Sequence, residues 1–290
     1  MARAHRGAVE QPGELPDPFL TSLFSQSDDW DPVTLCAGYD GGEWRCAELA
    51  KHLAEWLLEF SLRKHELEYI TPATAVAAIR TAASRVFRED GRSRGEAGEL
   101  LLHAGCRQEF ETSQLVARLY YKSSLDEQVH GFDCVHFREV DNRVELWLGE
   151  AKIIRSADSA ISKARQSIKS HLDRGFLAAQ KVLIAPKISS ESDELYRKVE
   201  HLLHRNTPVD RLLDALVVPV LIATDSEAVA KHDRHCDGYM LAVHDEMSSV
   251  SARLKRGEPF GSIRIQPIYV PLLSKELFRR AFGAVVKGLQ

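Results

Sequence analysis

The sequence predicts an α/β fold in which a central mixed sheet is flanked by helices and carries an N-terminal helical elaboration. Two strand-like runs at 132–140 and 144–154 are separated only by a short polar break. Segments on either side have apolar residues every three or four positions, which is typical of helices packed on a sheet. The chain has 290 residues, 44% of them hydrophobic and 28% charged, so it can bury a substantial core.

The central feature is a predicted β-hairpin around the polar break. Asp141 and Asn142 suit the positive φ angles of a two-residue type I′ turn. With these two residues in the loop, Asp133 lies directly opposite Glu150. Because side chains alternate along a strand, Glu150 and Lys152 occupy one face of the hairpin together with Asp133. The sequence therefore places two carboxylates and a lysine at one end of the hairpin.

This arrangement has a functional and a structural interpretation. Two facing carboxylates repel each other unless a cation or a shared proton relieves the repulsion. Mg²⁺ prefers oxygen ligands and is usually held by one or two carboxylates plus waters and substrate phosphate, which would suit phosphodiester hydrolysis. The alternative is a surface hairpin in which Glu150 and Lys152 form an exposed ion pair worth about 0–1 kcal/mol. The pattern Glu150-Ala151-Lys152 alone is a weak motif, and its context carries the argument.

In that context the chain resembles the PD-(D/E)xK nuclease superfamily, whose signature is an aspartate near the start of one hairpin strand and Glu-x-Lys at the end of the next. The match is Asp133 with Glu150-Ala151-Lys152, although this sequence has Gly131-Phe132-Asp133 in place of a Pro-Asp pair. More narrowly, the succession GELLLHAG, HGFD and LWLGEAK, followed by a basic helix, resembles the HamA-type nuclease subunit of the Hachiman anti-phage defence system. This specific resemblance covers residues 92–185.

The resemblance implies a restriction-endonuclease-like core and a role for each matched residue. Asp133 and Glu150 would hold Mg²⁺, for which Mn²⁺ can substitute, and the Ala151 carbonyl could join them. Lys152 would position or activate the attacking water. Glu99, on the helix before the hairpin, would assist through metal-bound water, whereas spacing alone favours a solvent-facing helix position for it.

Four further residues are candidates for nucleic-acid binding. His130 precedes the Gly-Phe-Asp turn, where it could contact a phosphate or simply close the strand end. From 150 to 174 the chain carries 6 basic and 3 acidic residues. In the predicted helix that begins near residue 156, Lys163, Gln166 and Lys169 can share one face. The resemblance favours a substrate-facing surface, whereas the residues alone also allow a solvated helix face.

The resulting hypothesis is a metal-dependent nuclease, an endonuclease on DNA, that works as one subunit of a defence complex. The chain has no phosphate-binding Gly-x-x-x-x-Gly-Lys-Ser/Thr loop, and the resemblance implies a helicase partner that supplies the motor. The alternative is a catalytically silent assembly subunit that retains the nuclease fold as a platform for nucleic acid or a partner. The facing carboxylates favour the enzyme.

The N-terminal third is predicted to be an arm followed by helices. Residues 1–18 form the arm, and residues 19–90 form a helical segment with helices at 46–60 and from Thr71-Pro72 onward. Residues 1–90 have 9 basic and 15 acidic side chains, a net charge of −6, whereas residues 91–290 have 29 and 27, a net charge of +2. This segment is either a docking module for a partner or a helical layer that covers the sheet.

The remaining 91–290 is predicted to be one α/β domain, with its core at 92–185 and an extension at 186–290. Strands are expected at 114–121, 181–185, 215–223, 239–243 and 263–270, and helices at 96–106, 193–205, 245–256 and from 275. The stretch 231–236 gathers two histidines, an aspartate and a cysteine, but its spacing matches no standard zinc site and favours a polar loop.

The sequence indicates a cytoplasmic protein that is not associated with a membrane. No apolar stretch approaches the roughly 20 residues that cross a bilayer, and no signal-peptide segment is visible. The five cysteines are scattered and have no Cys-x-x-Cys pair, so neither a disulfide framework nor a structural zinc site is expected.

Overall fold

The computed structural model describes residues 15–24, 31–86, 95–117, 131–188, 194–257, 260 and 263–290. Within them, a seven-stranded mixed sheet carries helices on both faces, which confirms the predicted fold class. The strands are β1 (Thr21–Ser22), β2 (Val33–Cys36), β3 (Tyr39–Asp40), β4 (Glu43–Trp44), β5 (Ser113–Gln114), β6 (Cys134–Val140), β7 (Arg143–Ile153), β8 (Leu216–Asp225) and β9 (Arg264–Leu272).

Twelve α-helices are formed by the described residues, together with one turn of 3₁₀-helix at Ala185–Lys187. They are α1 (Cys46–Glu55), α2 (Leu57–Ser61), α3 (Lys64–Glu68), α4 (Ala75–Val86), α5 (Glu96–Phe110), α6 (Ala157–His171), α7 (Arg174–Ile184), α8 (Glu194–Leu203), α9 (Val209–Ala215), α10 (Glu227–Lys231), α11 (Asp237–Leu254) and α12 (Lys275–Leu289).

The strand order of the sheet is β1-β2-β9-β8-β7-β6-β5, and β3 pairs with β4 separately. Strands β2, β9, β8 and β7 run parallel to one another, whereas β1, β6 and β5 pair antiparallel with their neighbours. The carboxyl ends of the four parallel strands therefore meet at one edge of the sheet. Such edges are where open α/β sheets bind ligands.

The hairpin of β6 and β7 has the predicted turn and register. Asp141 and Asn142 have φ angles of 50° and 62°, as a type I′ turn requires. Val140 pairs with Arg143, and the pairing continues in register to Cys134 and Gly149. The next pair along this register is Asp133 and Glu150, as the sequence predicts.

Two hydrophobic clusters cover the two faces of the sheet. On one face, α1, α5 and α12 pack over Trp147, Leu221 and Ile268. On the other face, α6, α7, α8 and the C-terminal half of α11 pack over Leu148 and Val220. The alternation of side chains along β7 separates these faces, with odd-numbered residues toward α5 and even-numbered residues toward α6.

Two predicted strands are helical in the structure. Residues 181–184 complete α7 and Ala185 begins the 3₁₀-helix, because the carboxylate of Asp173 accepts a hydrogen bond from the Phe176 amide and begins a helix. Residues 239–243 belong to α11, whose buried Tyr239, Val243 and Met247 recur every four positions. Both runs are short and apolar, and such runs look alike in a buried strand and a buried helix.

The N-terminal segment is less purely helical than predicted. Strand β2 pairs with β9 inside the main sheet, so residues 33–36 are part of the central layer. The predicted helix at 46–60 divides at Trp56 into α1 and α2, and α4 begins at Ala75, three residues after Pro72. Of the predicted strand at 114–121, only Ser113–Gln114 pairs within the described residues, and 118–121 lie outside them.

The other predicted elements are confirmed with shifted ends, including β8, β9, α5, α8 and α12. Among the described residues, no helix is at once long enough and apolar enough to cross a lipid bilayer.

Candidate active site

The residues of the predicted nuclease motif come together where β6 begins and β7 ends. Lys152 forms an ion pair with Glu150, its Nζ contacting Oε1. Asp133 Oδ2 accepts a hydrogen bond of 2.9 Å from the amide of Ala151, the residue between them. The Asp133 amide in turn donates to the Gly149 carbonyl at 2.8 Å. Asp133 is thus held against the same three-residue stretch that carries Glu150 and Lys152.

Close packing at Gly149 fixes the strand just before Glu150. A Cβ atom at this position would lie 2.5 Å from Cys134 Sγ and 2.8 Å from Leu102 Cδ2. It would also lie 3.0 Å from Cγ of Pro219, on the neighbouring strand β8. Only glycine permits this approach of β6, β8 and α5 to the backbone of β7.

Glu150 occupies a buried and electrostatically unfavourable position. It is 3% exposed. Burial, together with repulsion from Asp133, raises the pKa of Glu150 to about 7, although Lys152 and the Ser167 hydroxyl partly stabilise the ionised form. A buried carboxylate with a raised pKa beside a second carboxylate is the electrostatic pattern of a cation-binding or acid–base site. The buried position of Glu150 excludes the alternative of an exposed surface ion pair.

Two residues of α6 that the sequence did not indicate complete the surroundings of Glu150. The Ser167 hydroxyl lies near its carboxylate and favours the ionised form. His171, one helical turn later and buried, places Nδ1 3.6 Å from Glu150 Oε2. Their spacing of four residues puts both on one side of the helix, but sequence alone does not show which side faces β7.

The three candidate nucleic-acid contacts on α6 are all exposed, yet they point in different directions. Lys163 is exposed and lies one turn before Ser167, on the same side of the helix. Gln166 is turned away from Ser167 by about 100°, and Lys169 by about 200°. Of the three, Lys163 is closest to the direction of Glu150. His130, the fourth candidate, lies outside the described residues.

Glu99 is 5% exposed, so the solvent-facing interpretation of this residue is wrong. It lies in α5, where a Cβ on Gly98 would be 3.3 Å from Ile153 and 3.5 Å from Ala151. Helix α5 therefore packs at the same end of β7 as the site but on the opposite face of the sheet from α6. The assisting role of Glu99 stays a prediction.

A buried polar network lies on the α5 side of the hairpin and was not predicted. His103 and His136 face each other at 3.0 Å, and His136 also contacts the Thr112 hydroxyl at 2.8 Å. Glu59 of α2 contacts His103 at 3.2 Å and Arg107 at 2.6 Å. Both histidines are buried, and His136 lies on the α5 face of β6. This network joins the N-terminal helices to α5 and β6.

The donor set at the site fits a hard divalent cation. Its two carboxylates are oxygen ligands of the kind that hold Mg²⁺, and mutual repulsion of Asp133 and Glu150 is the feature that a cation would relieve. No group of three or more His, Cys, Asp or Glu side chains among the described residues forms a metal cage. In the stretch 231–236, Lys231 ends α10 and the next residues form a loop in which His235 stacks on Tyr239 at 5.2 Å.

The fold and site define an α/β protein with a nuclease-like core, in which a hairpin presents two carboxylates and a lysine. A model of the HamA family matches residues 17–286, so the chain belongs to the HamA family. It is also similar to Anti-bacteriophage protein A of Escherichia coli (strain K12), with 22% identity over 245 residues. That match covers 82% of this chain and 44% of the relative, so the chain spans less than half of the relative's length. The family resemblance seen in the motifs is thereby confirmed.

Proposed function

We propose that this protein is a Mg²⁺-dependent nuclease subunit of an anti-phage defence complex and that it cleaves DNA together with a helicase partner. The observation that carries the proposal is the convergence of Asp133, Glu150 and Lys152 at the end of the hairpin. Membership of the HamA family and the name of the E. coli relative support the defence role.

Asp133 and Glu150 would hold the cation, which, when bound, polarises the scissile phosphate and lowers the pKa of an attacking water. The protein contributes the geometry. Asp133 is fixed by the Ala151 amide, and Glu150 is fixed by Lys152 and Ser167. The hydrogen bond from the Ala151 amide to Oδ2 holds the Asp133 carboxylate against the stretch that carries Glu150, with which it would share the cation.

Lys152 would position the attacking water or accept its proton. Its side chain is 21% exposed and touches Glu150, so it stands between the buried carboxylate and solvent. A lysine in that position can reach both a metal-bound water and a phosphate oxygen.

Separate observations support DNA as the substrate and a helicase as the partner. Lys163, exposed on the same side of α6 as Ser167, provides a phosphate contact. The sequence contains no phosphate-binding loop for ATP, so movement along DNA would have to come from another subunit.

The experiment is a plasmid-cleavage assay with the full chain, alone and with its helicase, in Mg²⁺, Mn²⁺ and EDTA. We expect cleavage in either metal and none in EDTA. Glu150→Gln and Lys152→Met should each reduce cleavage at least 100-fold, because each removes a charge that the reaction uses. Glu276→Gln and Lys287→Met on the exposed side of α12 are matched controls and should cleave as the parental chain does.

Cleavage by Glu150→Gln at the parental rate would overturn the proposed site. Suppose that neither the parental chain nor any variant cleaves DNA under any condition, while all of them bind DNA and form the complex equally well. The alternative of a silent assembly subunit would then be correct.

A further inference from the structure

His171 connects the elements on which the two candidate metal ligands stand. Its ring stacks on Phe176 of α7 with centroids 4.8 Å apart and an interplanar angle of 16°. Phe132, the residue immediately before Asp133, meets the same ring edge-on, also at 4.8 Å. The Nδ1 atom points to Glu150 Oε2 at 3.6 Å. The His171 side chain therefore contacts Phe132 next to Asp133, the carboxylate of Glu150 and Phe176 of α7.

This arrangement restrains the Glu150 carboxylate from the side opposite Lys152. Lys152 contacts Oε1, whereas His171 faces Oε2. Ser167 adds its hydroxyl from the previous turn of α6. The 3.6 Å approach of His171 is a close polar contact and not a hydrogen bond. A carboxylate with a polar side chain close to each oxygen has few rotamers left, and pre-organised ligands bind cations more tightly because less ordering is needed on binding.

The position of His171 also limits what it can do. The residue is 7% exposed and its ring contacts two aromatic side chains, so it does not reach a substrate on the surface. Among the described residues, the carboxylate that its ring faces is that of Glu150.

We propose that His171, assisted by Ser167, is a positioning residue that holds Glu150 in the orientation needed to share a divalent cation with Asp133. The inference rests on the proposed nuclease function and adds a helix α6 contribution to the site. Loss of such a support typically weakens metal binding by 10–100-fold.

The experiment compares two substitutions, one that keeps a hydrogen-bond donor and one that keeps an aromatic ring. His171→Asn retains a hydrogen-bond donor near the position of Nδ1 but loses the ring, and His171→Phe retains the ring but loses the donor. Mn²⁺ binding to the purified full chain, without DNA, is measured by calorimetric titration and by the electron paramagnetic resonance signal of free Mn²⁺. Thermal unfolding is recorded for each variant.

We expect His171→Phe to be well folded and to bind Mn²⁺ about tenfold more weakly, with the concentration of Mg²⁺ for half-maximal cleavage raised to match and the KM for DNA unchanged. His171→Asn should lie closer to the parental affinity, although its melting temperature falls. His201→Phe, at an exposed histidine on α8, is the matched control and should bind Mn²⁺ normally.

The reverse order, in which His171→Phe binds Mn²⁺ like the parental chain and His171→Asn does not, would show that the ring serves packing alone and would overturn the inference. Glu150→Ala should abolish Mn²⁺ binding whichever order the two His171 variants show. A parental chain that binds no Mn²⁺ at all would instead overturn the proposed function, and this inference would fall with it.

Discussion

At the scale of single residues, the candidate site is a place where the fold accepts an unfavourable charge. Glu150 is buried, faces Asp133 and has a pKa raised to about 7 from an ordinary value of 4.5. Sites that bind cations or transfer protons are arranged in this way, because the strain of the free site is relieved by the ligand. The free-energy cost of the buried Glu150 charge should therefore lower the stability of the chain without metal.

We predict that Glu150→Gln stabilises the metal-free chain at alkaline pH. The folded pKa of Glu150 is raised, so folding favours the protonated acid, and ionisation makes the folded state less stable as the pH rises from about 4.5 through about 7. Above pH 7 the substitution should add up to about 3 kcal/mol to the free energy of unfolding, and below pH 4.5 it should add little. Urea titrations in EDTA at several pH values would measure the difference.

The exposed Glu276→Gln serves as the control for this experiment and should show no such pH dependence. Saturating Mg²⁺ should remove the advantage of Glu150→Gln, since the cation stabilises only the carboxylate. An advantage that is the same at pH 4 and pH 9 would contradict the electrostatic explanation.

Gly149 supports the site by its lack of a side chain. We predict that Gly149→Ala costs about 1–3 kcal/mol, because the new Cβ would lie 2.5 Å from Cys134 Sγ and 2.8 Å from Leu102. Gly283→Ala is a suitable comparison, since nothing lies within 4 Å of a Cβ on that helical glycine. It should stabilise the chain by up to about 1 kcal/mol. Chemical denaturation of the two variants would give both values, and equal effects would show that crowding at Gly149 is relieved by small shifts.

At the scale of elements, the hairpin could be predicted because its determinants are local. A two-residue turn fixes the register, and the register fixes which side chains share a face. Asp133, Glu150 and Lys152 follow from these two rules. Ser167 and His171 do not, because their proximity to Glu150 depends on how α6 docks on the sheet, which is set by packing of residues distant in sequence.

The same difference explains the two wrong strands. The apolar runs at 181–185 and 239–243 have no turn nearby that fixes their conformation, and both are absorbed into longer helical stripes of α7 and α11. The carboxylate cap at Asp173 is the local signal that could have corrected the first of them.

Helix α6 offers a test of where DNA approaches. We predict that Lys163→Ala lowers the slope of the logarithm of DNA affinity against the logarithm of salt concentration by about 0.9, because it removes one phosphate contact. Lys169→Ala should leave the slope nearly unchanged, since this lysine points to the far side of the helix from Ser167. Both changes remove one positive charge from an exposed position on one helix, so a general charge effect would alter the two slopes equally.

The buried network around His103 shows how firmly the N-terminal helices are attached. Burial alone would raise the pKa of Glu59, yet the contacts with His103 and Arg107 outweigh it and the pKa is lowered. The ionised carboxylate therefore stabilises the fold at neutral pH, and this contribution is lost as the acid is protonated. Glu59 is thus a structural residue, and its side chain is only 15% exposed. Residues 46–86 carry 5 acidic and 5 basic side chains.

At the scale of the whole molecule, the motifs covered only 92–185, whereas the HamA family model matches 17–286. The difference has a structural reason. Strand β8 lies beside β7 but comes more than 60 positions later in the chain, and β2 reaches the sheet from the N-terminal side through its pairing with β9. The sheet that supports the site is thus assembled from nearly the full length of the chain, which local patterns cannot reveal.

We therefore predict that residues 91–290 do not fold alone. Without residues 1–90, β9 loses β2, one of its two parallel partners, and α12 loses α1, against which it packs. Phe278, Phe282 and Val286 would become exposed, and exposing three such side chains costs about 5–9 kcal/mol, comparable with the entire stability of a typical domain. Loss of Glu59 would also leave Arg107 and His103 without their carboxylate. Near-ultraviolet circular dichroism and urea unfolding of the purified fragment would measure this, with the full chain as the reference. A fragment that unfolds cooperatively with a native aromatic spectrum would show instead that the N-terminal segment is a removable module, and its helices could then be assigned to partner docking by deletion.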